Sequence, residues 1–390
     1  MADILRDVAP KFLATRSVTS QQAAALRAIS RCRTAELGGR AEQCLDCGCT
    51  IYLYNSCRNR HCPRCQWAAQ ERWIEARQKR LLDTHHFHIV LTLPSELRPL
   101  ALSNPRPIYK LLFRAASRTL LQLGRDPQWL GADLGVTMVL HTWARNLMLH
   151  PHVHCLVTGG GLSFDRTEWV PAPSNFIFPV HVVGALFRGK FVAGLRGLRA
   201  AKQLRFKGAA AVYAAASDFK ALTDKLEATK WIVYSKAPMG GPHHVINYLG
   251  RYTHRVAISN HRLLDYTNGR VTLRTRGDAT VTLSAEEFTR RFLLHVLPKG
   301  FMKIRHYGLF ASANVNTKGE AARQLLNATA PSGDSPTSDV SSKADEAPVR
   351  RCPVCGSSNI ITRALSPLPW RAGQPAHGAR GPPLLLVGAP

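Results

Sequence analysis

The sequence is short of negative charge: 390 residues carry 25 Asp and Glu against 52 Lys and Arg, a formal net charge of +27. A surplus of that size suggests a polyanionic partner. Ribosomal, nucleic-acid-processing and membrane-surface proteins all share it, so charge names a class and no activity. Long apolar runs are also missing. None reaches 18 residues, so no membrane span is expected. The opening segment MADILRDVAPKF carries Asp3 and Asp7 and has no apolar h-region, so no secretory signal is expected and a cytoplasmic location follows. An H-E-x-x-H helix and an open Cys/His site are lacking too, which leaves a zinc-dependent hydrolase without support. No internal repeat of fixed period occurs.

Hydrophobic residues make up 45% of the chain, an ordinary globular content, with length for two or three domains. The ten cysteines are clustered, and in a chain kept reduced such spacing points to metal rather than disulfides.

Apolar positions at helical spacing (Ile4, Val8, Phe12, Leu13) predict helix over 1–30. A Cys- and Arg-rich loop module follows over 32–66, then a helix over 67–82. HFHIVLTLP, ended by Pro94, reads as a strand. An amphipathic helix is expected over 105–123, and strands over 136–143 and 153–157. A basic helical stretch lies within 181–206, and the basic residues of 187–207 (Arg188, Lys190, Arg196, Arg199, Lys202, Arg205 and Lys207) suit either a nucleic-acid backbone or a solvated face. A strand at 231–234 leads through Met239–Gly240–Gly241–Pro242 into a helix over 243–252. RVTLRTR and ATVTLS around Gly277–Asp278 form a hairpin, and Ser284 with Glu287 forms a capping box. The domains expected are a helical and zinc-binding module over 1–95, a catalytic domain over 96–316, a Ser/Asp/Pro-rich flexible linker over 317–349 and a tail over 350–390.

Cys44, Cys47, Cys62 and Cys65 make C-x2-C-x14-C-x2-C. Two short loops each supply two thiolates to a tetrahedral structural Zn²⁺ site. Ten cysteines give roughly 0.3 C-x2-C pairs by chance, whereas the chain has three, so the pairing is informative. Cys57 and His61 lie inside the module as alternative ligands; Cys32 and Cys49 read as packing or spare thiols. Arg58, Arg60 and Arg64 are candidate phosphate contacts, or merely solvate the loop. The third pair, Cys352–Cys355, is half of another site with no second pair after it; it joins a partner chain, binds loosely or is a remnant.

In His150–Pro151–His152–Val153–His154, strand alternation puts His152 and His154 on one face. Two imidazoles there can bind a divalent cation and leave room for phosphate and water. Sixteen histidines give about 0.7 H-x-H pairs by chance, so the pair alone decides nothing. On the helix after Pro242, the four-residue step aligns His244, Tyr248 and Tyr252. A phenol is a poor nucleophile at neutral pH and needs a metal ion or cations such as Arg251 and Arg255. Two packing tyrosines give the same spacing.

Together, CRNRHCPRCQ, LHTW, HPHVHCLVTGGGL, YLGRYTHRVAISNHR and LPKGFMKIRHYGL resemble, in their order, the rolling-circle transposases of the insertion-sequence-ninety-one family, within the HUH endonuclease superfamily. The resemblance spans roughly residues 10 to 315. It implies an α+β fold, an antiparallel sheet flanked by helices and preceded by a small four-cysteine zinc module. It implies His152 and His154 as ligands of Mg²⁺ or Mn²⁺, Tyr248 and Tyr252 as nucleophiles, and Cys44, Cys47, Cys62 and Cys65 as the zinc set. It further implies single-stranded DNA, at element ends and target, as partner, with the protein at the bacterial nucleoid. The chemistry implied is cleavage and rejoining through a 5′-phosphotyrosine. The resemblance does not fix the third ligand of the catalytic metal; His244, one turn before Tyr248, is the choice, with His141 on the preceding strand as its rival. A catalytically inactive DNA-binding derivative and a replication initiator are the alternatives, and the sequence sets no oligomeric state. The Pro/Gly-rich tail reads as an atypical, shortened end.

Overall fold

The computed structural model describes residues 1–78, 80–236, 250, 257–328 and 350–368. Helices α1 (Ala2–Thr15) and α2 (Ser20–Ser30) open the chain. The single helix expected there is broken at 16–19, because Thr19 caps α2: its hydroxyl accepts from the Gln22 N–H and its own N–H donates to the Gln22 side chain, satisfying two otherwise orphaned donors. Strands β1 (Gly39–Cys44) and β2 (Thr50–Tyr54) form a hairpin, followed by α3 (Gln66–Gln78) and β3 (His86–Thr92).

Next come α4 (Arg98–Ser103) and α5 (Pro105–Arg125), then β4 (Asp133–Trp143), β5 (Leu149–Leu162) and β6 (Trp169–Pro171). Helices α6 (Val180–Ala200) and α7 (Ala216–Ala228) precede β7 (Val233–Lys236). A three-stranded meander, β8 (Leu263–Thr267), β9 (Arg270–Arg274) and β10 (Thr280–Ser284), runs into α8 (Ala285–Leu293). Strand β11 (Ile304–Gly308), α9 (Lys318–Ala328) and β12 (Ile360–Leu365) complete the described elements.

The large sheet runs β11-β4-β5-β3-β7, with β6 added beside β5, and all its pairings are antiparallel. One face is apolar: Val136, Met138, Leu140, Val153, Cys155 and Val157 pack under α5 and α6. Fully buried Phe113, Phe187 and Phe191 each contribute about 2–3 kcal/mol there. Alternation therefore turns His141, His152 and His154 to the opposite face. Strand β5 runs through His150–Pro151 rather than stopping there. The β4–β5 register slips between His141 and Trp143, opposite that proline, and such an irregularity accommodates a residue with no N–H to give.

A second core joins Ile4, Leu5, Phe12, Leu26 and Ile29 of α1 and α2 to Val271, Leu273, Phe288 and Phe292. Ser284 caps α8 as expected, accepting from the Glu287 N–H. Glu287 does not reciprocate; its carboxylate is held by Arg290 and Arg291.

Secondary-structure contacts cross three of the expected boundaries. Strand β3, assigned to the N-terminal module by a boundary at 95, pairs with β5 and β7 in the large sheet. Helix α9 occupies the start of the span read as flexible linker; its Ala322 packs with Leu162 and Leu309, which gives it an apolar face to bury. Residues 360–365, read as tail, add β12 to β1 along six residues. Among the described residues, no helix is long and apolar enough to cross a membrane.

The two cores meet at His295. Its Nε2–H donates to the Leu147 carbonyl at 3.0 Å and its Nδ1 accepts from the Thr142 hydroxyl at 3.1 Å. Burial pushes its pKa from 6.5 down to about 4. A depressed pKa means the folded state holds the neutral ring. Its stabilising effect is complete above pH 6.5 and is lost as pH falls from 6.5 toward 4, by up to about 3 kcal/mol. Urea unfolding of His295→Gln should accordingly show a shallower loss of stability over that window than the parent chain. Parallel pH dependences would refute the assignment.

Candidate metal centres

The histidine face is built by register. His141 on β4 stands opposite His152 on β5, while His154 is paired with Val139 on one side and Val90 on the other. These positions share a face, and ring nitrogens of His141, His152 and His154 all lie within 4.8 Å of one another. His141 and His154 are buried, at 3% and 9% exposure. The indole of Trp143 stacks on His141, with centroids 4.4 Å apart.

Two hydrogen bonds orient the rings. His152 Nδ1 lies 2.7 Å from the His150 carbonyl oxygen, to which it donates, leaving Nε2 with its lone pair. His154 Nδ1 lies 2.9 Å from Nε2 of His88, and the two rings stack in parallel at 5.1 Å. Burial pushes His152 and His88 down to about 4 and His154 well below its ordinary value. The rings are thus neutral at pH 7, the state in which imidazole binds metal. Three imidazoles whose ring nitrogens converge fit a divalent cation, and the far-nitrogen hydrogen bonds of His152 and His154 orient those two rings.

The structure gathers His141 with the H-x-H pair. The other candidate, His244, lies outside the described residues, as do Tyr248, Tyr252, Arg251 and Arg255. One residue of that segment, Gly250, is described: a Cβ there would meet Ile74 Cδ1 on α3 at 2.5 Å. The neighbouring Trp73 packs on Leu156 of β5, which shares the face of His154. His88 was not singled out from sequence, although its two-residue step from Val90, the partner of His154, carries it to the same face.

The cysteines are divided differently from the sequence expectation. Cys44 and Cys47 do not meet Cys62 and Cys65. One cluster is Cys32, Cys57, Cys62 and Cys65; the other is Cys44, Cys47, Cys352 and Cys355. The reason is the β1–β2 hairpin. It carries Cys44 and Cys47 to one end of its sheet, while Cys32 and Cys57 flank the opposite end, where Arg33 N–H donates to the Asn55 carbonyl. In the first cluster Cys65 Sγ lies 3.6 Å from both Cys32 and Cys57, and Cys32 Sγ is 3.7 Å from Cys62. Hydrogen bonding from Cys57, then Cys62, pulls the Cys32 thiol down, while the same contacts with Cys32 push Cys57 and Cys62 up. Cys32, read as a spare thiol, and Cys57, read as an alternative, are both members. His61 is not: its Nε2 accepts from the Leu297 N–H at 3.2 Å and its Nδ1 is 3.1 Å from Asn59 Oδ1.

Arg58 and Arg64 are exposed, but Arg60 is half-buried and donates to the Phe301 carbonyl at 2.9 Å. It therefore ties the module to the core that Phe301 shares with α5, instead of facing a ligand. On α6 and beyond, Arg196 is paired with Asp224 and Glu227, and Arg199 lies over Phe206 and Phe219. Lys202 and Arg205 instead line a groove of about 850 Å³ with Arg106, Lys110, Arg114 and Arg118. The four α5 cations recur every fourth residue and are all exposed. That periodicity stood in the sequence, where the helix was read for its apolar stripe alone.

Comparison with known proteins accords with these features. Residues 135–318 match the family model described as "Putative transposase", and residues 4–93 match that described as "Transposase zinc-binding domain". The class is therefore a transposase carrying an N-terminal zinc-binding domain. The chain is 41% identical over 374 residues, 93% of its length and 94% of the relative's, to "Putative transposase y4qJ" of Sinorhizobium fredii. It is 30% identical over 355 residues to "Transposase for insertion sequence element IS801" of Pseudomonas savastanoi pv. phaseolicola, covering 86% of this chain and 82% of that one. The chain belongs to the insertion-sequence-ninety-one family of transposases. No solved structure matches it significantly.

Proposed function

We propose that this transposase cleaves and rejoins single-stranded DNA by tyrosine transesterification at the histidine cluster, in rolling-circle transposition. The convergence of His141, His152 and His154 on one face carries the reading. These three residues would hold the catalytic cation, with His141 taking the third position. An all-imidazole set suits Mn²⁺ better than Mg²⁺, which prefers oxygen ligands. A cation bound there would polarise a phosphate oxygen of the DNA strand.

The nucleophiles proposed from the resemblance are Tyr248 and Tyr252. Gly250, between them in the sequence, packs on Ile74 of α3. The Tyr oxygen forms a bond to phosphorus while the bond to the 3′ oxygen breaks. The phenolic proton passes, in net terms, to the departing 3′ oxygen. Rejoining reverses the exchange, so no nucleotide is consumed. Arg251 and Arg255 are proposed to favour the phenolate, and Arg58 and Arg64 to meet phosphates. The basic groove of α5, with the net charge of +27, supplies a further path for a DNA backbone. The zinc-binding module is proposed to hold structural Zn²⁺ on Cys32, Cys57, Cys62 and Cys65.

The test is a covalent adduct. Labelled single-stranded DNA from the element's ends, incubated with the protein and Mn²⁺, should give a protein–DNA species that survives denaturing electrophoresis. The Tyr248→Phe, Tyr252→Phe double variant should give none, and each single variant ranks the two hydroxyls. An undiminished adduct in the double variant would remove tyrosine from the mechanism.

A further inference from the structure

The pair Cys352–Cys355 lies outside both matched regions, yet it stands against Cys44 and Cys47. Cys44-Leu45-Asp46-Cys47-Gly48 and Cys352-Pro353-Val354-Cys355-Gly356 are two copies of one turn. In each, the glycine N–H donates to the carbonyl of the first cysteine, at 3.0 Å in the first copy and 2.9 Å in the second. In each, the glycine is left-handed, with φ +72° at Gly48 and +75° at Gly356, a conformation that glycine adopts without strain. Such a turn points both sulfurs of a C-x2-C pair to one side.

The two turns face each other. Cys44 Sγ is 3.6 Å from Cys355 Sγ, and Cys47 Sγ is 3.6 Å from Cys352 Sγ. All four sulfurs fall within 4.8 Å. A tetrahedron of sulfurs about 2.3 Å from a central zinc has edges of about 3.8 Å, whereas a disulfide would require about 2.05 Å. The spacing is that of a shared ion. Contacts that involve no sulfur hold the turns in register. Strand β12 pairs with β1 from Gly39–Leu365 to Cys44–Ile360. The Leu45 N–H donates to the Asn359 carbonyl at 2.9 Å. Asp46 accepts from Ser357 and from Asn359 Nδ2, and Glu42 pairs with Arg350.

We propose that Cys44, Cys47, Cys352 and Cys355 form a second structural zinc site, in which the N-terminal module and the C-terminal segment are bound to one ion. The C-terminal pair is neither a remnant nor an intermolecular hook; it completes within its own chain the half-site left by Cys44 and Cys47. The ion closes a loop of about three hundred residues, and closing so long a loop restricts the unfolded chain strongly. Docking of 350–368 then depends on zinc as well as on the β12–β1 ladder.

Zinc is counted by atomic emission on purified full-length protein in a His152→Ala, His154→Ala background, so that the histidine cluster contributes no ion. Two zinc per chain are expected, falling to one in a Cys352→Ser, Cys355→Ser variant and staying at two in the Cys49→Ser control. A protease site introduced within 329–349 provides a second readout. After cleavage the C-terminal fragment should co-elute with the remainder and leave when the zinc is chelated. A count unchanged by the Cys352→Ser, Cys355→Ser pair, or a fragment that dissociates at once with two zinc still bound, would overturn the proposal. A dimer that falls apart in that variant would assign the pair to a bridge between chains instead.

Discussion

Replacing His154 with alanine is expected to reduce metal-dependent strand cleavage by roughly a thousandfold or more, because a catalytic cation supplies several kcal/mol of charge stabilisation and each 1.36 kcal/mol is a factor of ten. His154 is central to the cluster: its ring lies 4.3 Å from that of His141 and 5.0 Å from that of His152. Its removal deletes one ligand and opens the pocket around the others. His88→Phe separates the hydrogen bond from the packing. A phenyl ring can keep the parallel stack on His154 but offers no acceptor to Nδ1. Loss of such a partner typically weakens metal affinity by about 10–100-fold. Titration with Mn²⁺, followed calorimetrically, should show that weakening in His88→Phe, and raised Mn²⁺ should restore its cleavage. His154→Ala should not recover. If His154→Ala binds Mn²⁺ and cleaves like the parent chain, the cluster is not the catalytic centre.

The sequence made some of this arrangement legible and hid the rest for identifiable reasons. Alternation along β5 placed His152 and His154 together because a period of two is a property of the single strand. His141 and His88 join them through β4 and β3, and strand register is a relation between distant segments that spacing along the chain does not encode. The two-residue loops of the cysteine module were equally plain, but their partners were not. C-x2-C-x14-C-x2-C groups the pairs nearest in sequence, whereas the hairpin between them sends them to opposite ends. The glycine after the second cysteine was a usable signal: Gly48 and Gly356 follow Cys47 and Cys355, while Gln66 follows Cys65. It marks Cys44–Cys47 and Cys352–Cys355 as matching halves. Helix α9 is hidden by the Ser-, Asp- and Pro-rich composition of 317–349, in which its short apolar face is averaged away.

Cys62→Ser tests the other cysteine cluster and should have the larger structural effect. Cys62 and Cys32 are 1% exposed and share a core with Leu5, Ile29, Phe288 and Phe292. A structural zinc contributes about 10–16 kcal/mol of apparent binding energy in small modules, as much as the net stability of a typical domain. A serine hydroxyl is a poor zinc ligand, and without zinc it is left among apolar side chains with thiols it cannot fully satisfy. Hydrogen exchange should therefore lose protection in α1, α2 and α8, which line that core. Strands β4 and β5 should keep theirs, since they belong to the separate core beneath α5 and α6. The two regions are joined by the His61–Leu297 and Arg60–Phe301 hydrogen bonds and by His295, which is bonded to Thr142 and Leu147. The histidine cluster should accordingly still bind Mn²⁺ in Cys62→Ser while binding of element-end DNA falls. If protection is unchanged although one zinc has left, that zinc does not stabilise the core. If β4 and β5 unfold with the module, the two cores are a single cooperative unit.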